Sequence, residues 1–209
     1  MMTAKVELVL FSALFLAPAA AIWVLALHTG SLLSLHAALN ALALLVCTPS
    51  GLWLVLQRKR ESDYATRVRL TQWHLAVNVA ALVVLSVAGT VAFAAKRAAG
   101  ERHLASRHSW GGLAVALFLA LNVFQGVLLT YEGKRANWQW KDETHGLVGS
   151  LVYIGSAATL VYGVQSDGWA AGFDPEWRQR LAILIGVAHA AMLGKLALSS
   201  KAAASTKSE

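Results

Sequence analysis

The sequence predicts an all-α integral membrane protein with six transmembrane helices. Of its 209 residues, 57% are hydrophobic and 14% are charged, which is too little charge to cover the surface of a soluble domain of this length. Six segments each carry about 20 mostly apolar residues, the length that a helix needs to cross a bilayer. Only three prolines and no low-complexity linker interrupt the chain, so we expect a single domain over residues 1–209.

The predicted spans follow one another at short intervals. They are Val6–Leu27, Leu32–Leu56, Leu70–Ala94, Ser109–Thr130, His145–Val164 and Leu181–Leu198. The first contains "LAPAAA", small residues of the kind found at a signal-peptide cleavage site, but its apolar run continues past them, so we expect a retained helix. Pro18 and Pro49 are expected to kink or end helices. The last residues, about 200–209, are expected to form a disordered tail.

The basic residues indicate how the helices are oriented. A formal net charge of +7 is typical of a nucleic-acid-binding protein, but these residues lie in short clusters between the apolar runs, which is typical of membrane-flanking charge. With six spans, 12 of the 18 Lys and Arg residues fall on the side that holds both termini, and six fall on the other. This excess predicts cytoplasmic termini.

Four histidines recur near the starts of the second to fifth spans. They are His36, His74, His108 and His145, with separations of 38, 34 and 37 residues. Because neighbouring helices alternate in direction, His36 and His108 are predicted at the outer depth, and His74 and His145 at the inner depth. Helices two apart in sequence face one another diagonally in an up-down four-helix bundle. The pattern therefore predicts two layers, about 20 Å apart, with two opposed histidines in each.

Two opposed imidazoles suit the two axial positions of a planar iron macrocycle. A histidine inside a span is costly and needs a physical reason. Zinc prefers four tetrahedral ligands, but the only cysteine, Cys47, lies at neither depth, and Asp142 and Glu143 precede the fifth span in a loop. The alternative is that the four histidines only form hydrogen bonds between helices.

Small and amide residues lie close to these histidines in the sequence. Glycines within about one turn of His108 or His145 are Gly111, Gly112, Gly146 and Gly149. Glycine leaves room where a flat cofactor approaches a helix, although small residues also serve ordinary helix packing in membranes. Further candidates for hydrogen bonding or close packing near the ligands are Asn78, Gln125 and Gly126.

The local sequences around the histidines resemble those of the cytochrome b561 family. The similar segments are "SRHSWGG" and "NVFQGVLL" in the fourth span and "THGLVGSL" in the fifth, and the resemblance covers a core of roughly Leu32–Val164. "RHLASRHSW" and "VCTPSG" are most similar to the short branch that consists of the membrane domain only. The resemblance implies two b-type haems, an outer one held by His36 and His108 and an inner one held by His74 and His145.

The resemblance also implies a transmembrane, ascorbate-dependent oxidoreductase of the monodehydroascorbate or ferric reductase type. Electrons would pass from cytosolic ascorbate to monodehydroascorbate or a ferric chelate on the opposite side, and the protein would form a homodimer. Residues implied near the outer haem and its acceptor are His103, Ser106 and Arg107. Family members carry a lysine two residues before the inner ligand of the third span, where this chain has Gln72. The candidate cations for the donor are Arg67, Arg69 and Lys141, which lipid headgroups could equally bind.

Two other classes of protein remain as alternatives. A histidine-based proton or ion transporter predicts ionisable groups along a pathway, whereas the middle of the predicted bundle has few apart from His189 in the sixth span. A non-catalytic membrane scaffold leaves four depth-matched histidines without a purpose. His189 is interpreted as a packing residue and His28 as an interfacial one.

Overall fold

Every regular element of the described chain is a helix. The computed structural model describes residues 4–131, 142–170 and 172–205, with only the backbone at 4, 5 and 200–205. The helices are α1 (Ala4–Thr29), α2 (Leu32–Arg60), α3 (Tyr64–Ala98), α4 (Arg107–Thr130), α5 (Glu143–Val164), the short α6 (Asp167–Ala170) and α7 (Pro175–Ser205). All but α6 are long and apolar enough to cross a membrane, which confirms the predicted fold class of six spans.

Several helices extend beyond their predicted apolar cores because polar residues continue them. The carboxylate of Asp63 accepts a hydrogen bond from the backbone N–H of Thr66 (2.8 Å), so α3 begins well before Leu70. This hydrogen bonding holds the pKa of Asp63 below its ordinary value. At the other end of the chain, α7 continues to Ser205, within the stretch predicted as a tail. Residues 206–209 lie outside the described part, and their disorder stays a prediction.

Pro49 changes the winding of α2 without ending it. The helix is α-helical over Leu32–Ala41, π-helical over Leu42–Cys47 and α-helical again over Thr48–Arg60. Proline has no N–H to donate, and its ring clashes with the carbonyl four residues earlier in a regular α-helix. The hydroxyl of Thr48 donates to the carbonyl of Leu44 (3.0 Å), which satisfies one acceptor in the turn before the proline.

The four central helices pack as two close pairs. α2 lies against α3, and α4 lies against α5, while the two pairs touch each other less extensively. α1 and α7 lie outside this core, α1 mainly against α2 and α7 mainly against α5. The arrangement leaves a seam between the α2–α3 pair and the α4–α5 pair.

An ion-pair cluster joins α1, α2 and α7 at one end of the bundle. Glu7 accepts a hydrogen bond from Arg60 (2.7 Å) and lies 3.0 Å from the ammonium of Lys195, which also sits over the ring of Trp53. The first residues of α1, the last turn of α2 and the C-terminal half of α7 therefore share one face of the protein. We call it the terminal face.

Candidate functional site

Two pairs of histidines face each other across the seam. The ring centroids of His36 and His108 lie 5.9 Å apart with an interplanar angle of 89°, and those of His74 and His145 lie 6.3 Å apart at 72°. Each pair takes one histidine from α2–α3 and the other from α4–α5. The structure thus brings together the same residues that the sequence predicts in each layer.

The Nδ1 edge of each imidazole contacts the backbone of the helix with which its own helix is paired. The Nδ1–H groups donate to backbone carbonyls of the neighbouring helix, His36 to Ala88 (2.8 Å), His74 to Gly51 (2.9 Å) and His108 to Thr159 (2.9 Å). His145 interacts with the backbone of Asn122 on α4. A donating Nδ1 leaves Nε2 as the unprotonated nitrogen, which is the form that binds a metal. The orientation of these rings therefore suits ligation across the seam.

Two asparagines cap the histidines of the α2–α3 pair. The amide of Asn40 donates to the carbonyl of His36 (2.7 Å) and also lies 3.2 Å from its ring nitrogens. The amide of Asn78 makes the equivalent bond to the carbonyl of His74 (2.7 Å). Asn78 was among the residues predicted to form hydrogen bonds and Asn40 was not, although both stand four residues after a histidine, a repeated spacing that marks the second as well.

The closest glycines lie on the helix opposite each histidine of the α4–α5 pair. A Cβ at Gly163 would lie 2.8 Å from Cε1 of His108, and one at Gly126 would lie 3.1 Å from Cε1 of His145. By contrast, a Cβ at Gly146 would meet nothing within 4 Å. Of the predicted glycines, Gly126 therefore packs on the ring of His145. Gly163 was missed because its role depends on which helices pair.

The two histidine pairs fit a planar cofactor held on both faces. Two metal–nitrogen bonds of about 2 Å on opposite sides of one metal, together with the ring radii, place the imidazole centroids about 6 Å apart. Both pairs match this separation. A cleft adjoins His74 and His145, lined by polar side chains such as Thr71 and by apolar ones such as Leu75.

The described residues do not offer the ligand set of a zinc site. They contain no group of three or more His, Cys, Asp or Glu side chains that could hold a metal ion. The carboxylate of Asp142 instead accepts hydrogen bonds from the backbone N–H of His145 (2.6 Å) and from the amide of Gln125 (3.1 Å). It caps α5 rather than facing a ligand. Within these ranges each opposed histidine pair can offer two imidazole nitrogens to a metal.

On the terminal face, the structure separates the predicted cations. Arg67 is half-buried, and its Nε has no hydrogen-bond partner in the described part of the chain. It lies close enough to Arg58 of α2 for electrostatic repulsion between the two charges. Arg58 in turn interacts electrostatically with His74. Arg69 is exposed and donates to the hydroxyl of Thr66 (3.1 Å). Lys141 lies outside the described residues.

On the opposite face, the predicted residues are dispersed. Ser106 caps α4, where its hydroxyl accepts from the backbone N–H of Ser109 (3.2 Å). The ring of His103 stacks on Phe93 at 4.2 Å. Arg107 lines a cleft between α4 and α5. These positions assign a structural role to Ser106, while the roles of His103 and Arg107 stay predictions.

The remaining histidines lie away from the seam. His189 is 2% exposed, donates from Nδ1 to the carbonyl of Ile185 (2.8 Å) and contacts the rings of Phe15 and Tyr153. His28 is exposed at the end of α1. Neither residue belongs to the opposed pairs.

Most of the chain matches a known protein family. The model of a family described as eukaryotic cytochrome b561 matches residues 35–171. This range contains all four opposed histidines and ends before α7. No curated protein matched the chain.

Proposed function

The chain belongs to the cytochrome b561 family, and we propose that it carries electrons across its membrane through two b-type haems. One haem is assigned to His36 and His108, and the other to His74 and His145. The observation that carries the proposal is the pairing of four imidazoles across one seam, with three Nδ1 atoms bonded to backbone carbonyls. When bound, the haems supply the one-electron redox chemistry.

The histidines direct that chemistry towards electron transfer. Two imidazoles on one haem iron would leave no open coordination position, which would disfavour oxygen or substrate binding at the metal. The hydrogen bond from Nδ1 to a carbonyl fixes each ring and increases the basicity of Nε2. The buried backbone acceptors therefore orient the ligands and contribute to the potential of each site.

The two sites lie at different depths. On α3, Ala88, the backbone partner of His36, stands fourteen positions after His74, which corresponds to about 21 Å along the helix. The hydrocarbon core of a bilayer is about 30 Å thick. The two sites together thus extend across most of the membrane.

We assign the electron donor to the terminal face. Arg58 acts electrostatically on His74 and lies near the like charge of Arg67, and an anion between the two arginines would relieve their repulsion and accept charge-assisted hydrogen bonds. Ascorbate, a small anion, fits this requirement. In this chain Arg58 and Arg67 would do the work of the lysine that Gln72 replaces.

We assign the acceptor, monodehydroascorbate or a ferric chelate, to the opposite face. His103 and Arg107 lie at that end of the bundle. The excess of Lys and Arg on the side of the termini supports a cytoplasmic donor side. Assembly as a homodimer is part of the same proposal.

Reconstituted vesicles test this function. The purified protein is inserted into vesicles loaded with ascorbate, and a ferric chelate is added outside. We expect reduction of the external iron at a rate that rises with protein content and is lost in vesicles carrying His74→Ala or His108→Ala. His28→Ala, an exposed histidine, is the matched control. Reduction that is equally fast with all of these proteins would contradict the proposal.

A further inference from the structure

The contacts behind the histidines follow one spacing rule with one exception. Each helix from α2 to α5 carries a histidine and, further along, the backbone group that meets a histidine of its paired helix. The two are fourteen positions apart in three of the helices and fifteen in α2. The intervals of fourteen are His74 to Ala88 in α3, His108 to Asn122 in α4 and His145 to Thr159 in α5, and the interval of fifteen is His36 to Gly51.

The shorter interval suits a regular α-helix. Fourteen positions complete about four turns, so both ends lie near the same face of the helix. One more residue adds about 100° of rotation and about 1.5 Å of rise. In a regular α2, the carbonyl of Gly51 would therefore turn away from α3 and from His74.

The exception coincides with the π turn of α2. Leu42–Cys47 lies between His36 and Gly51, and the N–H of Thr48 donates to the carbonyl of Ala43, five residues earlier. A π turn takes one residue more than an α turn. The additional residue is therefore absorbed within this turn, and Gly51 faces α3 with its carbonyl 2.9 Å from Nδ1 of His74.

The sequence favours a π turn at this place. Pro49 disfavours a regular turn before it, and the hydroxyl of Thr48 satisfies the carbonyl of Leu44. The turn is held in the core, because Leu44 and Leu45 are almost fully buried. Local chemistry and packing thus agree on one position for the extra residue.

We propose that the π turn at Leu42–Cys47 is a positioning element that keeps His36 and the Gly51 carbonyl in register with the two histidine layers. His36 acts as a ligand of one site, and Gly51 positions His74 at the other. The inference rests on the proposed function in that these histidines hold haems. The register itself is a property of the α2–α3 pair.

Two deletions of equal size test the proposal. Deletion of Val46, combined with Pro49→Ala, closes the turn into a regular α-helix and gives α2 the same interval as the other three helices. Deletion of Val83 shortens the interval of α3 from fourteen positions to thirteen. Val83 is largely exposed, so the deletion removes little buried packing. Pro49→Ala alone is the control for the proline. The readouts are the haem-to-protein ratio and the apparent Tm of the purified protein.

We expect the Val46 deletion to keep the wild-type haem-to-protein ratio and an apparent Tm within about 4 °C of the control. The Val83 deletion is expected to lose at least one haem and to lower the Tm further. Equal losses in the two deletions, including failure of both to accumulate as folded protein, would overturn the proposal. If the wild type holds no haem, the proposed function fails, and the difference in Tm still reports on the register.

Discussion

The α2–α3 and α4–α5 pairs both orient two histidine rings towards the seam, but they do so with different residues. Both present two imidazoles to the seam and bond or pack them from behind against backbone of the paired helix. In α2–α3, Asn40 and Asn78 donate hydrogen bonds to the backbone carbonyls of His36 and His74, and a π turn adjusts the register. In α4–α5, Gly126 and Gly163 admit the rings by close approach. Both pairs contain a close glycine contact, but in α4–α5 it falls on the histidine rings, whereas in α2–α3 the close approach of Gly51 falls on the amide of Asn78.

The largest effect is expected at the glycine side. Gly163→Leu introduces a side chain whose Cβ alone would lie 2.8 Å from the ring of His108, so the imidazole must move and the His36–His108 site should lose its haem. The haem-to-protein ratio of the purified variant should fall by about half. Gly89→Leu on α3 is the control, because a Cβ there meets nothing within 4 Å. A Gly163→Leu protein with full haem content would show that close approach is not required.

A smaller effect is expected from the arginines that the α2–α3 pair carries at the terminal face. Arg67→Gln should slow reduction of the haems by ascorbate about tenfold, since the loss of a charge-assisted hydrogen bond costs about 1.5 kcal/mol or more. Stopped-flow absorbance at low ascorbate concentration measures the rate. Arg69→Gln, which removes an exposed charge two residues away, should change it less than about twofold. Equal effects of the two substitutions would remove Arg67 from the donor site.

The asparagine caps should be more tolerant than the glycines. Asn78→Ala removes the 2.7 Å bond to the carbonyl of His74, worth about 1 kcal/mol, and should lower the apparent Tm by about 2–4 °C while both haems remain. Ser86→Ala is a matched control, because it removes a similar bond to a carbonyl of α3 away from the seam. Loss of the haem from Asn78→Ala would mean that the two pairs depend equally on their small contacts.

The smallest effect concerns the helix caps, which differ between the pairs in their response to pH. Hydrogen bonds from Thr66 lower the pKa of Asp63 at the start of α3, whereas α4 is capped by the neutral Ser106. A lowered pKa in the folded state means that the stabilisation is present above the ordinary carboxyl pKa of about 4 and is lost as the pH falls through the lowered value.

Wild type should therefore have a slightly higher Tm than Asp63→Ala at pH 7, and the difference should shrink at pH 3. The Tm difference between wild type and Ser106→Ala should not change between pH 7 and pH 3. Parallel melting curves at the two pH values provide the measurement. A constant difference for Asp63→Ala would contradict a titrating cap.

The fold was predictable from the sequence to the extent that it depends on apolar length and helix direction. Alternating directions place His36 with His108 and His74 with His145. Arg67 was distinguishable from Arg69 as well, because Arg67 stands seven residues before His74, two helical turns away on the same face, whereas Arg69 is turned away. Helical phase alone separates these two arginines.

The contacts on the Nδ1 side of the four histidines were not predictable. The carbonyls of Ala88 and Thr159 belong to the backbone, which every residue shares, so no side-chain pattern marks them. Gly163 is identified only once α4 and α5 are known to pair. Pro49 indicates a distortion of α2 but does not indicate that the distortion is a π turn containing one additional residue.

The haem content of the purified protein tests the central claim most directly. A pyridine haemochrome assay on the wild type should give two b-type haems per chain, and His74→Ala and His108→Ala should each give one. The same assay on His189→Ala, a buried histidine outside the seam, should again give two. Absence of haem from the wild type, or an unchanged ratio in His74→Ala and His108→Ala, would contradict the assignment of the four histidines.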